Sequence, residues 1–242
     1  MKIVADLHVH TISSGHAYST VQEILSSAKA KGLQMVAITD HGPTMPGAPH
    51  IYHFGNLRVI PPEWEGVQIL RGVEANISDF AGNLDLPDNY LRNLDWVLGG
   101  FHTYCYPGGT VEQNTQAAIN ALHHPLLDVL VHPGNPEFPI DPVPVLEAAR
   151  EVGKVVEINN SSLIGSRKGS KPNCLLIAQL VAERGDQIII GSDCHWAPDV
   201  GRCEEAIQMC LQCGIAPEQI INTSWKALSA YLERRRRERS AV

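Results

Sequence analysis

Short apolar runs recur along the chain, and between them apolar positions return every three or four residues. The runs predict strands at Lys2 to His8, Gln34 to Thr39, Val67 to Val73, Trp96 to Gly99, Asp128 to Val131, Lys154 to Ile158 and Gln187 to Gly191. The intervening periodic stretches predict helices. One opens with a capping box at Thr20-Val21-Gln22-Glu23, runs through Ala30 and stops at Gly32. Another spans Thr110 to Leu122, opened by a similar Thr-x-x-Gln. Others cover Val143 to Val152, Asn173 to Arg184, Arg202 to Gln212 and Ser224 to Arg237, with a short piece near Asp88 to Asn93. Residues 43 to 65 are Pro-rich, carry His50 and His53, and read as a long irregular loop over one rim.

This is a βα repeat of about seven units, and such alternation demands a parallel sheet covered by helices. Metal-ligand residue types stand at the C-terminal end of strand after strand. His8 and His10 follow the first, His41 the second, Glu74 the third, His102 the fourth, His132 the fifth, and Asp193 with His195 the seventh. An open sheet concentrates function at one switch point, whereas only a closed barrel gathers every strand end at one mouth. The expectation is a single α/β domain over 1–242, an irregular seven-unit barrel across about 2–220 with a C-terminal helix at 224–239.

Alternation along a strand puts His8 and His10 on one face, ~6.6 Å apart, with Val9 on the other. His16 lies just beyond, past the Ser13-Ser14-Gly15 turn that can fold it back over the mouth. A single His at a strand end is more often a hydrogen-bonded rim residue than a ligand. Seven of the eleven histidines at one structural position is a different matter. His50, His53, His123 and His124 do not share the pattern, and the last two sit at a helix end, where contact with the dipole suffices.

Seven histidines with Glu74 and Asp193 make nine candidate ligands, ten if Glu74 bridges. A catalytic zinc uses about three protein ligands, so the set predicts about three ions. Imidazole-rich ligation favours Zn²⁺, with Mn²⁺ or Fe as substitutes. Three divalent ions less two carboxylates leave roughly +4 at the mouth, which favours a dianion such as phosphate.

Composition limits the partners. The chain has 242 residues, 44% hydrophobic and 19% charged, with net charge −7, which argues against nucleic-acid or anionic-membrane binding. Residues 1 to 10 reach a His-rich motif at once, leaving no room for a signal peptide, so a cytoplasmic protein is expected. The Arg234 to Arg237 run with Arg239 reads as a solvated helix end. Cys210-x-x-Cys213 has no second pair to complete a sulfur site, and the six cysteines read as free structural thiols.

Asp6-Leu7-His8-Val9-His10-Thr11, Ile38-Thr39-Asp40-His41-Gly42, Glu74, Gly100-Phe101-His102, His132-Pro133 and Gly191-Ser192-Asp193-Cys194-His195 resemble the motifs of the PHP (polymerase and histidinol phosphatase) superfamily. The resemblance runs from residue 2 to about 196 and is closest to the compact bacterial YcdX-type phosphatases. It implies a distorted (βα)7 barrel with a trinuclear zinc centre. By position, His8, His10, Glu74 and Asp193 would hold one metal, Glu74, His102 and His132 the second, and His16, His41 and His195 the third. It further implies phosphomonoester hydrolysis by a metal-bound hydroxide, on a small phosphorylated substrate, and permits a homo-oligomer. Asp40 is placed to orient an imidazole from behind or to serve the strand end, and Arg167 and Lys168 either contact substrate phosphate or form a solvated loop. Three other readings stand beside it: a phosphodiesterase or 3′-exonuclease, an amidohydrolase-type barrel, and a metal-binding subunit without catalysis.

Overall fold

The predicted runs become strands because each is apolar on both faces, as a parallel sheet sandwiched between helices and its own interior requires. The computed structural model describes residues 1–241. In chain order these form β1 Ala5–Val9, α1 Val21–Ala30, β2 Met35–Ile38, α2 Tyr52–Asn56, β3 Glu63–Trp64, β4 Val67–Asn76 and α3 Asp88–Leu91. Then come β5 Trp96–Gly100, α4 Val111–His123, β6 Val129–Leu130, α5 Pro142–Glu151, β7 Val155–Asn159, α6 Ser161–Ile164, α7 Ser170–Arg184, β8 Ile188–Gly191, α8 Glu204–Gln212 and α9 Trp225–Ser240. Both predicted capping boxes form, at Thr20 and Thr110. The segment 43–65 is less irregular than its composition indicates, since it holds α2, a 3-10 turn and β3, which pairs antiparallel with β4.

Seven parallel strands run β1-β2-β4-β5-β6-β7-β8 and curl into a nearly closed barrel. At the C-terminal end the ring closes between β1 and the segment after β8, with Asp193 N donating to His8 O at 2.9 Å and His10 N to Cys194 O at 2.9 Å. Lower down one side chain fills the gap. The buried Asn222 amide accepts from Ile190 N at 3.0 Å and donates to Ala5 O at 2.9 Å and Ile190 O at 2.7 Å. Asn222→Leu strands these three backbone groups. At about 1–3 kcal/mol per orphaned buried group, partly relieved by water, a loss of about 3 kcal/mol is expected, a fall in Tm of roughly 6–12 °C. An unchanged melting curve by calorimetry would remove the amide's role in the seam.

Alternate side chains separate two cores. Ala5, Leu7, Met35, Ala37, Trp96, Leu98, Val155 and Ile189 fill the barrel interior, while Val9, Val36, Ile38, Val73 and Val97 pack outward against the helices. From below, α9 seals the interior with Leu228 and Tyr231. This corrects the reading of the arginine run as mainly solvated. Arg235 is buried and donates to Asp128 Oδ1 at 2.9 Å and Leu127 O at 2.6 Å, while Arg239 lies 3.1 Å from Asp128 Oδ2. Tyr231, Arg235 and Arg239 recur every four residues, so one helical face docks on the N-terminal end of β6. Only Arg236 and Arg237 of the run are fully turned to solvent. At the end of α4, Lys154 Nζ takes the carbonyls of Leu122 and His124, while His123 meets the helix end as expected, its Nδ1 2.8 Å from Ile119 O. All six cysteines are free, and no helix among the described residues is long and apolar enough to cross a membrane.

Candidate metal centre

The polar layer begins where the apolar filling stops. On β1 the pairing register shifts between Asp6 and Val9, so Leu7 and His8 both turn into the barrel before alternation resumes with Val9 outward. His8 and His10 therefore share the interior, their ring centroids 5.2 Å apart. At the ends of β6 and β8, His132 and Asp193 adopt left-handed backbone, φ 36° and 54°. Such strain, of order 1–3 kcal/mol for a residue with a side chain, persists only where the surroundings enforce it and clusters at functional sites. Glycine makes room for the layer. A Cβ on Gly191 would collide with Glu157 Oε1, and one on Gly100 would lie 2.6 Å from His132 Cε1.

Glu74, from β4, stands fully buried at the middle. Its Oε2 lies 3.3 Å from His8 Nε2, 3.3 Å from His10 Nε2 and 2.8 Å from His41 Nδ1. Its Oε1 lies 3.0 Å from His102 Nε2 and 2.7 Å from His132 Nε2. Asp193 Oδ1 approaches His10 Nε2 at 3.3 Å and His8 Nε2 at 3.6 Å. His195 follows, its Nδ1 3.1 Å from Asp193 O. His16, the most exposed of the nine, stacks its ring on His41 at 5.0 Å and on His195 at 4.8 Å. All nine predicted side chains thus meet at one mouth.

Three sets of ligand atoms lie within 4.8 Å of one another: His8 with His10 and Asp193, His10 with His41 and His195, and His41 with Glu74 and His102. His10 and His41 each belong to two sets, so these groupings cut across the division of ligands inferred by position.

The donor set fits metal ions on its own chemistry. His8 Nε2, His10 Nε2, His41 Nδ1, Glu74 Oε2 and Asp193 Oδ1 are buried and have no hydrogen-bond partner. Unpaired acceptors do not face one another in a core unless a cation lies between them. Two ligands bonded to one ion at about 2.1 Å with tetrahedral angles stand about 3.4 Å apart. The 3.3–3.6 Å separations around His8 and His10 match that spacing. Burial holds His41 well below the usual histidine range and pushes His132 and His195 to about 4, so these rings are neutral and carry free lone pairs at pH 7.

The network behind the ligands sets tautomers. Glu157 was not anticipated from sequence, although it is a lone charge inside the apolar run of β7. Its Oε1 accepts from His8 Nδ1 at 2.9 Å and its Oε2 from His132 N at 3.1 Å, leaving His8 Nε2 aimed at the centre. Asp40 works through Ser14, whose hydroxyl bridges to His10 Nδ1 at 3.0 Å. Burial would raise Asp40, but His53, His10, Ser14 and Thr11 hold it down at about 2.

The centre opens into a cavity of about 950 Å³ lined by His16, His102, Asp193, His195, Arg167 and Lys168, among others. Arg167 is largely buried and donates from Nη1 to Asp193 Oδ2 at 2.8 Å, while Lys168 is exposed. Every side-chain hydrogen bond of Arg167 runs through Nη1.

The PHP domain family model matches residues 6–132. A relative from Thermoanaerobacter sp. (strain X514), named "Probable phosphatase", is 52% identical over 239 residues, covering 98% of both chains. Another of that name from Acetivibrio thermocellus is 50% identical over 236 residues, again 98% of both. Among solved structures, histidinol phosphate phosphatase from Lactococcus lactis, complexed with Zn, L-histidinol and phosphate, superposes with TM-score 0.62 over 88% of this chain and 94% of its own at 16% identity, a likeness of fold.

Proposed function

The chain belongs to the PHP domain family, and from that premise we propose that it is a metal-dependent phosphatase acting on phosphate monoesters. The observation that carries this reading is the single buried carboxylate of Glu74 ringed by five imidazole nitrogens, beside a half-free guanidinium in a cavity. The ligands would be His8, His10, His16, His41, Glu74, His102, His132, Asp193 and His195, holding about three ions, with zinc favoured by the imidazole-rich set. When bound, the metals supply Lewis acidity that activates water and neutralises charge on the phosphoryl oxygens.

The remaining work falls to the chain. Glu157 and, through Ser14, Asp40 anchor the Nδ1 atoms of His8 and His10, which turns their Nε2 atoms toward the centre as the coordinating nitrogens. Arg167 turns Nη1 to Asp193, and its other N–H groups are left to donate to phosphoryl oxygens whose charge grows in the transition state. The barrel floor of Leu7, Leu98 and Ile189 keeps water from beneath the layer. The charge balance also survives the added residues, since Glu157, Asp40 and Arg167 together add −1 and three bound ions would still leave the mouth cationic.

Two measurements test the proposal. Protein purified without added metal should carry more than two transition-metal equivalents per chain, and p-nitrophenyl phosphate should be hydrolysed far faster than bis-p-nitrophenyl phosphate. Preference for the diester would make the protein a phosphodiesterase. A metal-loaded protein inert to both and to a panel of phosphorylated metabolites would be a non-catalytic metal-binding subunit.

A further inference from the structure

His53 lies outside the ring of strand-end histidines, on α2 within the 43–65 segment, yet its imidazole reaches the back of the centre. Its buried Nε2 stands 3.5 Å from Asp40 Oδ2, an electrostatic approach rather than a hydrogen bond, and it makes no hydrogen bond elsewhere. Asp40, 1% exposed, also accepts from Thr11 N at 2.7 Å, Thr11 Oγ1 at 2.8 Å and Ser14 Oγ at 2.7 Å. It only accepts in these contacts, as an ionised carboxylate does.

Proton bookkeeping along this chain of groups is restrictive. A serine hydroxyl has one proton, and Ser14 gives it to Asp40. Its oxygen must then accept from His10 Nδ1 at 3.0 Å and from His41 N at 3.2 Å. His10 must therefore carry hydrogen on Nδ1, which leaves Nε2, the atom aimed at Glu74 and Asp193, as its coordinating nitrogen. Were Asp40 free to turn, Ser14 could rotate its proton toward His10 and favour the opposite tautomer, whose Nε2–H cannot bind a cation.

The segment carrying His53 is also held at two other points, one on the turn after Ser14 and one on the loop that follows β4. Gly15 packs against the Gly47 backbone so tightly that a Cβ there would collide with Gly47 O, and Thr44 is tied to Asp85 Oδ2 through its N at 2.9 Å and its Oγ1 at 2.8 Å. Asp85 in turn holds Asn76 at the end of β4. The 43–65 segment is thus fixed to the metal-bearing end of the barrel, and His53 is its polar contact with Asp40.

We propose that His53 is a positioning residue, the outer member of a His53–Asp40–Ser14–His10 relay through which the 43–65 segment fixes the ligand tautomer of His10. The inference rests on the reading of His10 as a metal ligand, and its test separates the two. His53→Leu keeps the ring's bulk approximately and removes the contact to Asp40, while His53→Gln restores an N–H donor. Support behind a metal ligand is worth 10–100-fold in affinity or activity. His53→Leu should therefore release metal to a chelator about tenfold faster and lower kcat about tenfold with KM little changed. His53→Gln should recover most of both. Melting of the metal-free proteins should agree within a few degrees, and the ¹⁵N shifts of His10 in the metal-free chain should move away from the Nδ1–H tautomer only in the Leu variant. His10→Ala is the control. If it keeps a full metal complement, the ligand reading itself fails. If it loses metal while His53→Leu matches wild type in chelator release and kcat, the relay is wrong. A lowered Tm of the metal-free Leu variant without rescue by Gln assigns His53 a structural role and also overturns the proposal.

Discussion

Replacing Glu74 with Gln should lower kcat/KM by about 10³-fold or more and remove more than one metal equivalent at once. The side chain keeps its volume, so the barrel should still form. The change is electronic. Five imidazole nitrogens lie 2.7–3.3 Å from its two oxygens, and each oxygen serves a different group of them. An amide offers one neutral oxygen and, at the other position, an NH₂ that repels a cation. Both halves of the centre are then disturbed together. A 10³-fold loss corresponds to about 4 kcal/mol of transition-state stabilisation, within what a metal ion contributes to phosphoryl chemistry. In the wild type, burial would raise the Glu74 carboxyl, but the imidazoles facing it, those of His102, His8 and His41 foremost, hold it well below its ordinary value. The carboxylate is therefore ionised throughout the neutral range, and no accessible pH should rescue wild-type-like protonation in the variant. Elemental analysis beside steady-state kinetics checks the prediction. Loss of one equivalent or fewer, with activity retained, would show that Glu74 does not bridge.

The strands and the ring of candidate ligands are legible in the sequence for the same reason. Both strand faces are buried, which makes each run conspicuous, and polar residues at the run ends then stand out against it. What escaped was chemistry set by distant contacts. Glu157 lies inside β7, two residues short of the strand's end, so a search confined to strand ends passes over it, although a charge between Val156 and Ile158 was a legible signal. The inward turn of both Leu7 and His8 depends on a register shift that strict alternation cannot express. Arg235 looked solvated because helical spacing shows which residues share a face but not that Asp128, 107 positions away, waits opposite that face. Asn222 had no sequence signal at all. A lone Asn near a helix start reads as a cap, and its role exists only because β1 and β8 approach without pairing along their full length. His53 stands off the strand-end pattern, and no sequence feature shows that a short helix in a Pro-rich segment carries it back to within 3.5 Å of Asp40.

Arg167→Ala should cost about 10²–10³-fold in kcat/KM, with metal content close to wild type. The guanidinium has two tasks that the substitution separates. Toward the protein, Nη1 binds Asp193 Oδ2 at 2.8 Å and, with His8, holds that carboxyl well below its ordinary range against the opposing effect of burial. Asp193 keeps other support, from Asn159 Nδ2 at 3.3 Å and from its approach to His10, so it should stay ionised and in place. Toward the cavity, the remaining N–H groups are the only fixed, largely buried cationic donors on the lining; Lys168 and Arg202 are exposed there. Removing one preorganised donor to a developing oxyanion typically costs about 2.7–4 kcal/mol. Arg167→Lys preserves the charge but not the planar fork, so it should recover only part of the loss, and mainly in KM. Inorganic phosphate, as a product-like inhibitor, should bind both variants more weakly in the same order. An Arg167→Ala enzyme with kcat/KM within about threefold of wild type would leave the guanidinium as a structural partner of Asp193 and move recognition of the phosphoryl group entirely onto the metals.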